Sequence, residues 1–347
     1  MQYYLRLIVL VHNSFRVRSC FLLFVCCVIT NMLSAQTPTE TEKFISRLRP
    51  SAAAPEGLIS TRSAVLFDAT CTQEELEKIQ KGFQQTGIDA VTYVPVQAVL
   101  AGVDVKNYYS NRFGKRNIKF LFIIRKQNQE YQFWCTAFNT KNAWTNPAPT
   151  AWMIHAPRLN DALLQIFRAL AGGQKKQNFL INEFPEMESP ATVFMNTRNE
   201  TMIGNLKSFR VAVPGLSDGA ADKELLEYFN ANFHGRFESA PDTVTDRQLL
   251  QKGVRYVLRF VHAPGALAKE LMGYDVNKAE TVISSVTYVN GNIQLKMIPS
   301  TELVYKFYLK DLEDRNVYLG PKWDGDVTWQ DALKNHFDAY RATGRLN

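Results

Sequence analysis

Glycine is sparse in this chain, 18 of 347 residues, and a collagen-like repeat is excluded. Long apolar runs are missing: none reaches the roughly 18–20 residues that cross a bilayer as a helix, so a polytopic membrane protein is excluded. A phosphate loop needs glycines ahead of a helix, followed by Lys and Ser/Thr. Here Gly172-Gly173 comes after a helical pattern instead. The G-x-S-x-G nucleophile elbow and the H-E-x-x-H zinc pattern are both absent. The five histidines, at 12, 155, 234, 262 and 336, are far apart and read as structural. What is present is the composition of a folded protein. Hydrophobic residues make up 46% and aromatics 12%, which excludes disorder as the main state. At roughly 100–200 residues per domain, the length suggests two domains.

Residues 1–35 contain Arg6, Arg16 and Arg18 and no acidic residue. The apolar stretch Cys20–Leu33 has signal-peptide length and is short for a membrane helix. A signal peptide cleaved after Ala35 is predicted, with Gln36 as the new amino end and a periplasmic or secreted product. The alternative is an uncleaved anchor. Cleavage leaves 347 − 35 = 312 residues and a charge of +7 − 3 = +4. It also leaves only Cys71 and Cys135. Two independent buried thiols are predicted, with a single disulfide as the alternative.

Residues 36–60, rich in Pro, Ala, Ser and Thr, read as a flexible lead-in. Residues 61–171 form a first patterned segment, 172–206 a linker and 207–347 a second segment. In the first, SAVLFDA (63–69) predicts a strand. Thr72 with Glu75 forms a capping box ahead of a helix that ends at Gly87. A strand (90–95), a broken helical stretch (96–113), a hairpin around the QNQ at 127–129, a strand (152–157) and a helix (161–170) follow. That last helix carries Leu163, Phe167 and Leu170 at core spacing. The second segment repeats the order, with a capping box at Thr245 and Gln248 and a hairpin turn at Asn290-Gly291. It closes with a helix from Thr328. The fold class is therefore α+β: two similar β-α-β-α-β-β-β-α modules, each a mixed sheet covered by helices. In the closing helices, Asp161, Ala162, Leu163, Phe167 and Ala169 match Asp331, Ala332, Leu333, Phe337 and Ala339 at an offset of 170. The stretch 264–281 lengthens the second segment and adds a helix at most.

The second segment resembles a small periplasmic α/β module. That module is shared by the TolB amino-terminal domain, the curli-secretion outer-membrane lipoprotein and the outer-membrane activators of peptidoglycan synthases. The resemblance rests on FRVAVPG, KELLEYFNANF, GRFESAP, TDRQLLQKG and VRYVLRF, with VYKFYLKDLEDRNVYLG and a closing helix after them. It covers about 140 residues directly and the first segment more loosely; the lengthened stretch at 264–281 departs from it. It implies a periplasmic module that binds other envelope proteins and is not catalytic, and it brings no catalytic residue.

The candidate chemistry is thin. Asp311, Glu313 and Asp314 share one turn, and Asp324 and Asp326 flank Gly325. Carboxylates at a glycine turn suit calcium, but the full spaced loop is missing, and solvated turns explain them. No metal or cofactor is expected. KNYYSNRFGKR (106–116) interleaves Lys106, Arg112, Lys115 and Arg116 with Tyr108, Tyr109 and Phe113, as nucleic-acid patches do. Export and a charge of only +4 argue against nucleic acid, so Arg112, Lys115 and Arg116 read as solvated surface cations. Among the five tryptophans, Trp144 in the polar KNAWTNPAP is predicted to be exposed. The leading expectation is an exported, non-catalytic envelope protein acting through protein contacts. The alternative is a secreted glycan-binding or hydrolytic protein, using exposed aromatics and the carboxylates near 311–326.

Overall fold

The structure, a computed structural model, describes residues 39–343 apart from 141–143, 147, 173–176, 179, 188–191, 217–218, 242–243, 278 and 290. The expected signal peptide, its cleavage after Ala35, and the turn residue Asn290 lie outside the described residues. The chain divides into two compact units, residues 1–43 and 44–347. In the described part of the first, Thr39 and Glu42 exchange backbone-to-side-chain hydrogen bonds of 2.8 and 3.2 Å. This capping box opens helix α1 (Glu40–Ser46).

In the second unit the expected flexible lead-in is corrected. Phe44, Ile45, Leu48, Leu58 and Ile59 are all buried. The small, polar composition of 36–60 hides this handful of apolar side chains. Strand β1 (Arg49–Ser51) follows, and then β2 (Arg62–Phe67), α2 (Gln73–Thr86), β3 (Asp89–Pro95), α3 (Val96–Val99) and α4 (Val103–Lys115). Next come β4 (Ile118–Gln127), β5 (Glu130–Ala137), β6 (Thr150–Ala156) and α5 (Leu159–Ala171). The Thr72–Glu75 capping box forms as predicted, and α2 stops at Gly87, whose φ of 92° suits glycine. The β4–β5 hairpin turns through Asn128 and Gln129, both at positive φ.

The stretch 172–206 carries two short strands, β7 (Glu186–Met187) and β8 (Arg198–Asn199). The second module then runs β9 (Arg210–Pro214), α6 (Gly219–Asn232), β10 (Arg236–Ala240), α7 (Asp246–Gln251), β11 (Tyr256–Pro264) and α8 (Gly265–Leu271). Strands β12 (Val282–Val289), β13 (Asn292–Pro299), β14 (Leu303–Asp311) and β15 (Val317–Tyr318) precede α9 (Trp329–Ala342).

The first sheet has the order β1-β6-β5-β4-β2-β3-β7 and the second β10-β9-β11-β14-β15-β8. In each, the module's first strand pairs in parallel with the next two, one on either side. Two antiparallel partners then extend the sheet on the third strand's side. The module plan is therefore used twice. The second copy differs by an insertion, α8 and the separate β12–β13 hairpin, placed between β11 and β14. Among the described residues no helix is long and apolar enough to cross a membrane.

Alternate residues of a strand face opposite ways, and this divides the core. Val65, Phe122, Phe133 and Trp152 turn towards Ile79, Phe83, Ala162 and Ile166 of α2 and α5. Val211, Val213, Phe307 and Leu309 turn towards Phe229 of α6 and Leu333 and Phe337 of α9. The opposite faces of both sheets meet in one continuous core. Ala64, Leu66, Leu121 and Ile123 lie there with Val261, Ala263, Val304 and Tyr308. Phe167 corrects the predicted helix face: it is exposed, whereas its counterpart Phe337 is buried. Leu159, Ala162, Ile166 and Leu170 line the buried stripe instead.

The two modules touch main chain to main chain. His262 donates its backbone N–H to the Ala101 carbonyl at 2.7 Å. A Cβ on Gly102 would stand 2.5 Å from the Phe260 carbonyl oxygen. A ladder strand cannot yield there, so Gly102→Ala is expected to destabilise the fold by roughly 1–3 kcal/mol. Urea unfolding checks this; a variant as stable as the parent would show that the joint is not tightly closed.

Candidate functional site

A cleft of about 670 Å³ runs along the joint between the two modules. Its floor follows from strand geometry. Alternation places Lys306, Tyr308 and Lys310 of β14 on the face turned to the first module. The antiparallel register sets Arg259 of β11 directly opposite Tyr308, on that same face. The acidic partners come from the first turns of two helices: Asp104 of α4 and Asp246 of α7.

Lys310 Nζ lies 2.6 Å from Asp104 Oδ1 and 2.6 Å from Asp246 Oδ2. Arg259 Nη2 meets Asp246 Oδ1 at 3.0 Å, and the Tyr308 hydroxyl donates to Asp104 Oδ2 at 2.9 Å. Two cations and two carboxylates thus alternate in a neutral lattice that joins both modules. Burial alone would raise the Asp246 carboxyl, but Lys310 and Arg259 outweigh it and hold it below the usual carboxylate range. Burial would lower the Lys310 ammonium, yet Asp104 and Asp246 hold it above its ordinary value. Burial, reinforced by Asp104, pushes the Tyr308 phenol up.

A second ionic cluster is wholly interior. Lys306 Nζ sits 2.5 Å from Asp324 Oδ1 and donates to the Leu319 carbonyl at 2.6 Å. His336 Nδ1 lies 3.4 Å from Asp324 Oδ2. Burial would raise the Asp324 carboxyl, but the Lys306 ammonium and the His336 ring hold it low. Burial lowers the Lys306 ammonium and the His336 imidazole, against the pull of Asp324.

These contacts correct three of the surface candidates. Asp324 and Asp326 are buried, at 2% and 1% exposure. Asp326 is paired with Lys296 at 2.6 Å and accepts the backbone N–H of Val327. Glycine between two aspartates looks like a solvated turn, but here it is packed against Tyr305 and Trp323. Trp144 is buried as well, its ring edge-on to Phe113 and Phe138 at 5.6 and 5.8 Å. The polar flanks that suggested exposure surround a residue at φ 62°. The Asn139 N–H donates to the Trp144 carbonyl at 2.7 Å.

The basic stretch is divided. Tyr109 and Phe113 turn into the core, so they offer no stacking platform. Arg112 and Arg116 both pair with Glu186. Lys115 is exposed and, with Arg112, Tyr108 and Asn111, lines a smaller cavity of about 380 Å³. Asp311 is buried against Arg255, which also reaches Glu313. Among the described residues no three His, Cys, Asp or Glu side chains converge as metal ligands would. Cys71 and Cys135 are both free thiols, and burial pushes Cys71 up to about 12.

A different surface stands on the inserted hairpin. Among the described strands β13 pairs only with β12, so its outer edge is open. Ile293, Leu295 and Met297 alternate along it at 53%, 66% and 62% exposure. Their neighbours across the ladder on the same face, Val286 and Tyr288, are buried in the second module's core. The apolar face therefore continues past the protein's own cover. Sequence reasoning found this hairpin but missed its exposed ridge, and it missed Asp104, Asp246, Arg259 and Lys310 altogether. No protein-family model matches the chain, and no curated protein matches its sequence.

Proposed function

We propose that this protein is exported to the cell envelope and acts without catalysis, by binding another envelope protein. The observation that carries this is the open, apolar edge of β13. Folded proteins guard edge strands with charge, proline or cover, because unpaired N–H and C=O groups invite another strand. Here β13 carries Lys296 and ends at Pro299, but it also presents three large alternating apolar side chains. An extended partner segment with its own alternating apolar residues would complete the ladder and cover the ridge, in the manner of strand addition. The signal-like amino end and the resemblance of the second module support an envelope setting. The rival glycan or hydrolytic reading uses exposed aromatics and the carboxylates near 311–326; of these Trp144, Asp311, Asp324 and Asp326 are buried, whereas Glu313 and Asp314 are exposed.

A photo-crosslinking side chain at position 293, in the full chain expressed with its leader, tests this. It is expected to capture one envelope polypeptide, and Leu295→Lys is expected to abolish that capture. Sequencing the envelope-localised protein should read from Gln36. Adducts only to a second copy of this chain, or capture unaffected by Leu295→Lys, would refute the proposal.

A further inference from the structure

The cleft between the modules has an unmet demand of its own, separate from the β13 edge. Arg259 is 2% exposed. Its Nη2 is held by Asp246, but Nε and both hydrogens of Nη1 find no acceptor among the described residues. Buried guanidinium donors are satisfied in the great majority of folded proteins, so three open N–H bonds on the wall of a cavity point to an absent acceptor. The charge balance states the same demand. Asp104 and Asp246 are both engaged with Lys310, Arg259 and the Tyr308 hydroxyl. Arg247 and Arg315 also line the cleft, and both are exposed without an acidic partner among the described residues. By formal charge, these six side chains give four positive against two negative. The remaining lining includes aliphatic and aromatic surface, notably Phe194 and the exposed Leu250. A cavity of about 670 Å³ is of the size that encloses a small organic ligand.

We infer that this cleft binds a small oxyanion with an apolar arm: the anionic head at Arg259, with Arg247 and Arg315 above it, and the arm against Phe194 and Leu250. Carboxylate and phosphate heads share this chemistry, since arginine forks accept both.

Calorimetric titration of the full mature chain with hexanoate, hexyl phosphate and the neutral hexanamide tests this. At low salt at least one of the two anions is expected to bind saturably, and hexanamide at least tenfold more weakly. The tighter of the two anions identifies the head group. Arg247→Ser with Arg315→Ser, both exposed and outside the buried lattice, should weaken anion binding at least tenfold while the unfolding midpoint stays put. Arg259→Lys, which keeps the charge facing Asp246 but removes the open guanidinium donors, should weaken it again. No saturation by either anion, equal binding of hexanamide, or undiminished affinity in these variants would overturn the inference.

Discussion

Asp324→Asn is expected to remove roughly 3–5 kcal/mol of unfolding free energy, the usual loss when one partner of a buried ion pair is neutralised. The pair is fully interior: the Lys306 side chain is 0% exposed and that of Asp324 is 3%. Without the carboxylate charge, the Lys306 ammonium keeps only neutral acceptors such as the Leu319 carbonyl. An uncompensated buried charge is far more costly than a missing hydrogen bond. The double variant Lys306→Met with Asp324→Asn removes both charges and is expected to recover most of the loss. If urea unfolding shows the single variant within about 1 kcal/mol of the parent, the pair does not hold this end of β14.

The same cluster sets an acid limit. Burial keeps His336 neutral in the folded state, below its ordinary value, with Asp324 opposing. The unfolded chain takes up that proton below a pH of about 6.5. Unfolding therefore binds protons in that window, and stability falls as pH drops, by at most about 1.4 kcal/mol per pH unit. The Asp324 contribution has its own window: it is present above the unfolded carboxylate value and lost as pH falls through the lower native one. Denaturation midpoints at pH 7.5 and 5.5 should separate for the parent and nearly coincide for His336→Gln.

Asp104→Ala should cost roughly 3 kcal/mol, and the loss should appear as weakened coupling between the modules. Asp104 belongs to the first module, whereas Tyr308 and Lys310 belong to the second. Its removal leaves the Tyr308 hydroxyl without its acceptor and Lys310 with Asp246 alone. Asp104→Asn can still accept from Tyr308 and should be milder. A double-mutant cycle of Asp104→Asn with Lys310→Met should show a coupling of about 0.5–3 kcal/mol. Asp104→Ala within about 0.5 kcal/mol of the parent would mean that the apolar core alone joins the two sheets.

Local signals carried much of this fold. Two capping boxes, at Thr72 and Thr245, marked helix starts that form as written. The strands of both modules follow alternating or continuous apolar runs. What was hidden depends on the meeting of the modules. Along β14, Val304, Lys306, Tyr308 and Lys310 share a face that reads, in isolation, as a half-solvated side with charged tips. Docking of the first module turns that face inward: Lys310 lines the cleft and Lys306 is enclosed with Asp324. Periodicity cannot report this, because it records which residues share a face and not what covers the face. Asp104 was equally silent: an acidic residue in a helix's first turn is ordinary. Trp144 and Asp324 show the converse error, where polar sequence neighbours were taken for solvent although distant aromatics and a distant lysine enclose them.

The shared inner core has a consequence for how the chain must be made. Leu121 and Ile123 of the first sheet share a core with Tyr109 and Phe113 of α4, and also with Val304 and Tyr308, about 180 residues further along. While the chain is being made, the first half can close its α2/α5 side, and the other side with its own α3 and α4 but without the second module's share of that core. The part of that core supplied by Val261, Ala263, Val304 and Tyr308 comes only with β11 and β14. Such long-range completion slows folding and exposes intermediates to aggregation. The two halves share a plan, yet the core between them is complete only when both are present.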